Sequence, residues 1–225
     1  MPVIDLTAPP LEPEELTDRL RRARWRRYVS LGDSLIVGLG DPVEGYPNMA
    51  WTEATAHAFK QLHPDFEFLN LGKPYLTARQ VREAQLQPAL DFAPDLATVL
   101  AGGNDLGDPF DPEGIERELD AMVAALTDTG ATVFTLSMPN IVRCGRYPER
   151  MADILGPRLA VHREISVRIA ERYDTVYFDY FNHPSCDDPS IVSDDLLHPN
   201  MRGQAILTDM VLQGLASLVP ARTSA

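Results

Sequence analysis

Apolar positions along this chain fall into two recurring patterns. Short runs of strand length occupy residues 29–31, 66–71, 95–101, 132–136 and 175–178. Between them lie longer stretches in which apolar residues return every three or four positions, the period of a helix with one buried face. Trp51, Ala54, Ala58 and Leu62 are one such set and predict a helix over 51–62. Residues 12–27 form another, with Pro13 able to sit in the first turn, Glu14 and Glu15 near its positive end, and six arginines late in the stretch. Helices are also expected over 77–90, ended or interrupted near Pro88, and from Pro112 to about 129. Asp111 is a suitable N-cap for the latter and Gly130 a suitable stop. The last two expected helices are 157–172 and 201–218, while 138–156 and 180–199 read as long loops.

Five strands alternating with helices of a dozen residues favour parallel pairing with right-handed crossovers. The expected class is α/β, a three-layer sandwich with helices on both faces of a central five-stranded parallel sheet. In such sheets the site lies beyond the carboxyl ends of the strands. Residues 1–27 are expected to be an extended arm and a basic helix, 28–219 the main domain, and 220–225 a flexible tail. The arginines of the first helix read as a solvated face paired with an acidic body.

A formal net charge of −13 argues against nucleic acid as a partner, since phosphate contact calls for a basic face. The N-terminus lacks the basic and apolar segments of a secretion signal, and no apolar run is long enough to span a bilayer, so a cytoplasmic location without membrane insertion is the expectation. Cys144 and Cys186 have no metal-ligand spacing and read as unpaired thiols.

Candidate chemistry gathers in three segments. Gly32-Asp33-Ser34-Leu35 turns a serine off the end of the first strand, where it is a nucleophile if a base can reach it. Gly102-Gly103-Asn104-Asp105 offers a side-chain amide after the third strand. Asp195-Leu196-Leu197-His198-Pro199 offers a base with a carboxylate three residues before it, which a helical turn would put on one face. A base, a group that orients it, and donors for a developing oxyanion are what serine-mediated acyl transfer requires. His57, His63, His162 and His183 lack such partners and read as packing or surface residues. Arg143 and Arg146 read as solvated loop charges, and Asp33 and Asp105 as structural hydrogen-bonding groups.

These three blocks, in this order, resemble the SGNH hydrolase superfamily, also called GDSL esterases and lipases, over residues 28–218. The resemblance implies a flavodoxin-like sandwich and a serine esterase that cleaves an ester or thioester of a small acylated substrate without a cofactor or metal. It implies Ser34 as nucleophile, His198 as base, Asp195 as its partner, and the Ser34 N–H and Asn104 as oxyanion donors. The family's third donor is the N–H of a glycine in the loop after the second strand. Aligned on Asn70, that position falls on Tyr75, while Gly72 lies three residues earlier. Tyr75 keeps an N–H and is expected as the third donor, with its ring beside the pocket. An acyltransferase or ring-closing esterase with the same triad, a metal-dependent phosphoesterase, and a non-catalytic binding module are the competing readings.

Overall fold

The computed structural model describes Val3, Ile4 and residues 9–221; the tail expected at 220–225 lies mostly outside the described residues. Among the described residues, six strands form one parallel sheet: β1 (Val3–Ile4), β2 (Arg27–Gly32), β3 (Glu67–Asn70), β4 (Leu96–Leu100), β5 (Thr132–Leu136) and β6 (Val176–Phe178). Their order across the sheet is β1-β6-β5-β4-β2-β3. The five expected strands are contiguous in it, from β6 to the edge strand β3. The stretch expected as an extended arm adds a two-residue edge strand, in register with Tyr177 and Phe178. Two residues carry no periodicity; only the open edge of β6 reveals the pairing.

Seven helices among the described residues cover the sheet: α1 (Pro13–Arg22), α2 (Ser34–Val37), α3 (Trp51–Leu62), α4 (Ala78–Asp91), α5 (Pro112–Asp128), α6 (Glu149–Tyr173) and α7 (Met201–Ser217). Alternate strand residues point to opposite faces. Tyr28, Leu96, Leu100, Phe134 and Phe178 pack with side chains of α1, α3 and α7, including Leu20, Trp51, Phe59, Leu207 and Val211. Val29, Leu31, Ala97, Val99 and Val133 pack with those of α4, α5 and α6, including Val81, Ile115, Met122, Ile165 and Ile169. Among the described residues no helix is long and apolar enough to cross a membrane.

Three local expectations are corrected. The first helix ends at Arg22 rather than Arg27, because the Asp95 carboxylate accepts the backbone N–H groups of Arg26 and Arg27 and draws them into β2. Residues 149–156, read as loop from their Pro, Gly and Arg content, are the opening turns of α6. Pro157 sits inside that helix, and Pro88 inside α4. Pro removes one helical hydrogen bond, a loss that burial of Leu159, His162, Ile165 and Ile169 outweighs in α6. The expected loop 180–199 is pinned by three 3-10 turns, Tyr180–Asn182, Pro184–Asp187 and Pro189–Ile191.

Arg19 and Arg22 pair within α1, with Glu15 and Asp18, whereas Arg27 at the start of β2 pairs with Glu67 of β3. Cys144 and Cys186 are buried free thiols.

Candidate active site

β2 ends at Gly32, whose φ of 156° and close approach to Leu100 exclude a side chain: a Cβ there would lie 2.0 Å from the Leu100 carbonyl oxygen. Asp33 then caps the short helix α2, its carboxylate accepting the Leu35 N–H. Ser34 is the first residue of that helix and is almost fully buried. Its Oγ lies 2.7 Å from Nε2 of His198. On the other side of the ring, Nδ1 lies 2.6 Å from Oδ2 of Asp195. The carboxylate partner assigns the ring proton to Nδ1, so Nε2 accepts from the serine hydroxyl.

The Asp195–His198 pair is not on a helix. Leu196 takes a left-handed backbone at φ 62°, and Asp195 Oδ1 accepts the N–H groups of Leu197 at 2.8 Å and His198 at 3.0 Å. This turn folds the carboxylate back onto the imidazole. Burial pushes the Asp195 carboxyl up, but the His198 ring and these two N–H groups outweigh it and hold it below the usual carboxylate range. The turn itself is anchored from outside. The Tyr147 hydroxyl donates to the Leu196 carbonyl, and the Ser193 N–H to the His198 carbonyl at 2.9 Å. Asp41 receives the Asp194 N–H on its carboxylate and donates its own N–H to the Ser193 hydroxyl.

Asn104 stands in the 3-10 turn after β4 and lines the same pocket as Ser34. Its amide donates to the Leu76 carbonyl at 3.0 Å and approaches Oδ2 of Asp33 at 3.5 Å. Thus Asp33 stands behind both the serine and the amide. Burial pushes its carboxyl up to about 6, against the pull of the Leu35 and Gly103 N–H groups and of His198. His162, fully buried on α6, supports the same turn from beneath: Nε2 lies 2.9 Å from the Ala101 carbonyl, and burial pushes the ring's pKa down, keeping it neutral and donating.

Tyr75 occupies the left-handed region at φ 67°, as a glycine readily would. Its ring is 76 % exposed and borders the pocket. Among the described residues, no acceptor meets the backbone N–H of Ser34 or of Tyr75. Gly72 does not share this geometry. It is glycine because a Cβ would lie 2.7 Å from the Ile36 side chain and 3.0 Å from the Val37 nitrogen.

The remaining candidates lie elsewhere. His63 bonds the Leu20 carbonyl, His183 the Ser185 hydroxyl, and His57 faces Gln61. Arg143 pairs with Asp187, and Arg146 donates to the Val192 and Ser193 carbonyls, so both brace the loop that carries His198. Asp105 accepts the first N–H of α4, a structural bond. Tyr147, Asp41, Ser193 and Gln85 are supporting residues that escaped the sequence reading. Gln85, buried on α4, accepts the Gly32 N–H at 2.8 Å and donates to the Gly32 carbonyl at 2.9 Å. Its signal was available: Val81, Gln85 and Ala89 recur at four-residue spacing, so a polar side chain sits in a buried stripe.

A parallel α/β sheet with a serine, histidine and aspartate linked at its carboxyl edge defines the class: an α/β protein of hydrolase architecture. Residues 30–206 match the GDSL-like lipase/acylhydrolase family, and the chain belongs to that family. It is an ester-hydrolysing enzyme. An arylesterase from Vibrio mimicus is 28% identical over 193 residues, 84% of this chain and 88% of that protein. The structure of LAE5, an alpha/beta hydrolase from the metagenome of Lake Arreo, superposes with a TM-score of 0.69 at 20% identity, covering 88% of this chain and 99% of that one. The esterase EstA from a Pseudoalteromonas species gives 0.64 at 16% identity, covering 86% and 98%. At such identities the two structures speak for the fold.

Proposed function

We propose that the chain hydrolyses esters or thioesters of a small acylated substrate through a covalent acyl-enzyme on Ser34. The observation that carries this reading is the continuous hydrogen-bonded line from Ser34 through His198 to Asp195 at the edge of an apolar pocket. In this reading His198 Nε2 takes the hydroxyl proton as Ser34 Oγ attacks the acyl carbon. Charge on the carbonyl oxygen is received by the N–H groups of Ser34 and Tyr75 and by the Asn104 amide. The tetrahedral intermediate collapses by breaking the bond to the leaving alcohol or thiol, which receives the proton held on His198. Water then gives a proton to His198 and its oxygen to the acyl carbon, and release of the carboxylic acid returns that proton to Ser34. Asp195 keeps the imidazole in the required tautomer throughout.

An alkyl fluorophosphonate should add one phosphonyl group, located on Ser34 by peptide mass spectrometry. Ser34→Ala should take no label and lose ester turnover. Equal labelling of the Ser34→Ala protein would remove the assignment.

A further inference from the structure

The pocket beside Ser34 runs along α6, on which Leu159 and Met151 stand two turns, about 12 Å, apart, more than an acetyl group needs. One side of it is a single stripe of α6. Leu159 and Leu155 line the pocket, and Met151 continues the stripe one turn further out. Exposure rises along the stripe: Leu159 is 2 % exposed, Leu155 half-buried and Met151 53 % exposed. Met138 and Ile141, from the segment after β5, also line the pocket. Among the described residues, no lysine or arginine lines it. Arg158, on the same helix, is turned to the Leu106 carbonyl and the Asp108 carboxylate.

We infer that α6 is an acyl-chain track with its floor at Leu159, its wall at Leu155 and its mouth at Met151, and that it takes an uncharged aliphatic acyl group of medium length. This rests on the proposed role of Ser34. Direction follows from the chemistry. His198 must return its proton to the leaving group, so the alcohol lies on the side of His198 and the exposed Leu197. The acyl group then extends the other way, towards α6. A charged group on the part of the chain beside Leu159 and Leu155 is excluded, because it would be buried without a cationic partner.

The test is kcat/KM for p-nitrophenyl acetate, octanoate and decanoate, which share one leaving group. The wild type should prefer octanoate to acetate. Leu155→Trp should lower the octanoate-to-acetate ratio by ~10-fold or more, the scale of a lost apolar subsite. Leu155→Ala should raise the decanoate-to-octanoate ratio, and Met151→Ser should lower it. Ile154→Ser, on the same helix but outside the pocket lining, should change neither ratio. Labelling each variant with a short ethyl fluorophosphonate separates the two readings. Normal Ser34 labelling with ratios unmoved in both Leu155 variants, or a wild type that favours acetate, would overturn the track and leave the nucleophile standing. Loss of Ser34 labelling in the wild type would instead strike the reading on which the track rests.

Discussion

Tyr75 and Asn104 are proposed donors to one oxyanion, yet they differ in what the side chain contributes. Asn104 would act through its amide, so Asn104→Ala should lower kcat by ~10²–10³, the usual effect of removing one oxyanion donor. Tyr75 would act through its backbone, which Tyr75→Gly preserves. Glycine also relieves the left-handed conformation, a strain of roughly 1–3 kcal/mol that its extra freedom in the unfolded chain only partly offsets. The expected result is a stability gain of about 1 kcal/mol with kcat retained. A fall as deep as that of Asn104→Ala would give the phenol ring a part in the chemistry. Asp33 bears on pH. Its carboxyl binds a proton more tightly in the folded state, at about 6 against an ordinary 3.8. The stabilising contribution is therefore complete below the unfolded value and is lost as pH rises through the folded one. Relative to Asp33→Asn, the wild type should gain about 2 kcal/mol between roughly pH 8 and pH 4, measured by urea unfolding at each pH. Parallel pH profiles for the two proteins would show that Asp33 does not titrate in this window.

The connection between β2 and α4 shows how one element holds another in working position. Gln85 clamps the Gly32 N–H and carbonyl, and Lys73 donates a second hydrogen bond to that carbonyl. Removing the glutamine leaves the carbonyl a partner but orphans the buried N–H. Gln85→Ala should therefore destabilise the fold by about 3 kcal/mol, combining an unsatisfied donor with a small cavity. It should also lower kcat, since Gly32 leads directly into Asp33 and Ser34. Denaturant unfolding and ester turnover check the two effects separately; full stability would mean that the sheet alone positions Gly32. At this scale local patterns were readable where burial agreed with periodicity. The helix over 51–62 and the N-cap at Asp111 are as the pattern predicts. They were misread at residues 149–156 and 23–27, where the deciding partner is distant in sequence: the core cluster against which Leu155 packs in the first case and Asp95 in the second.

Across the whole molecule, the parallel sheet makes one site of three segments. Ser34 follows β2 and Asn104 follows β4, and these strands are neighbours in the sheet. His198 comes from a loop 164 residues after Ser34 and reaches it over the edge of the pocket. The class of fold and the residues with chemical capacity were legible in the chain itself, because strand and helix periods and the Gly-Asp-Ser, Gly-Gly-Asn-Asp and Asp-x-x-His blocks are local in sequence. The geometry was not. Asp195 meets His198 through a left-handed Leu196 rather than a helical turn, Tyr75 holds a glycine-like backbone, and Gln85 anchors the strand that leads into Ser34. Each depends on backbone torsions and long-range hydrogen bonds that no local period encodes. The apolar pocket belongs with them: its walls come from α6, the turn after β4 and the segment after β5, and only their packing gives it depth. Sequence alone therefore determined which groups were available and in what class of fold, whereas tertiary packing decided their distances, their burial and the space left for a substrate.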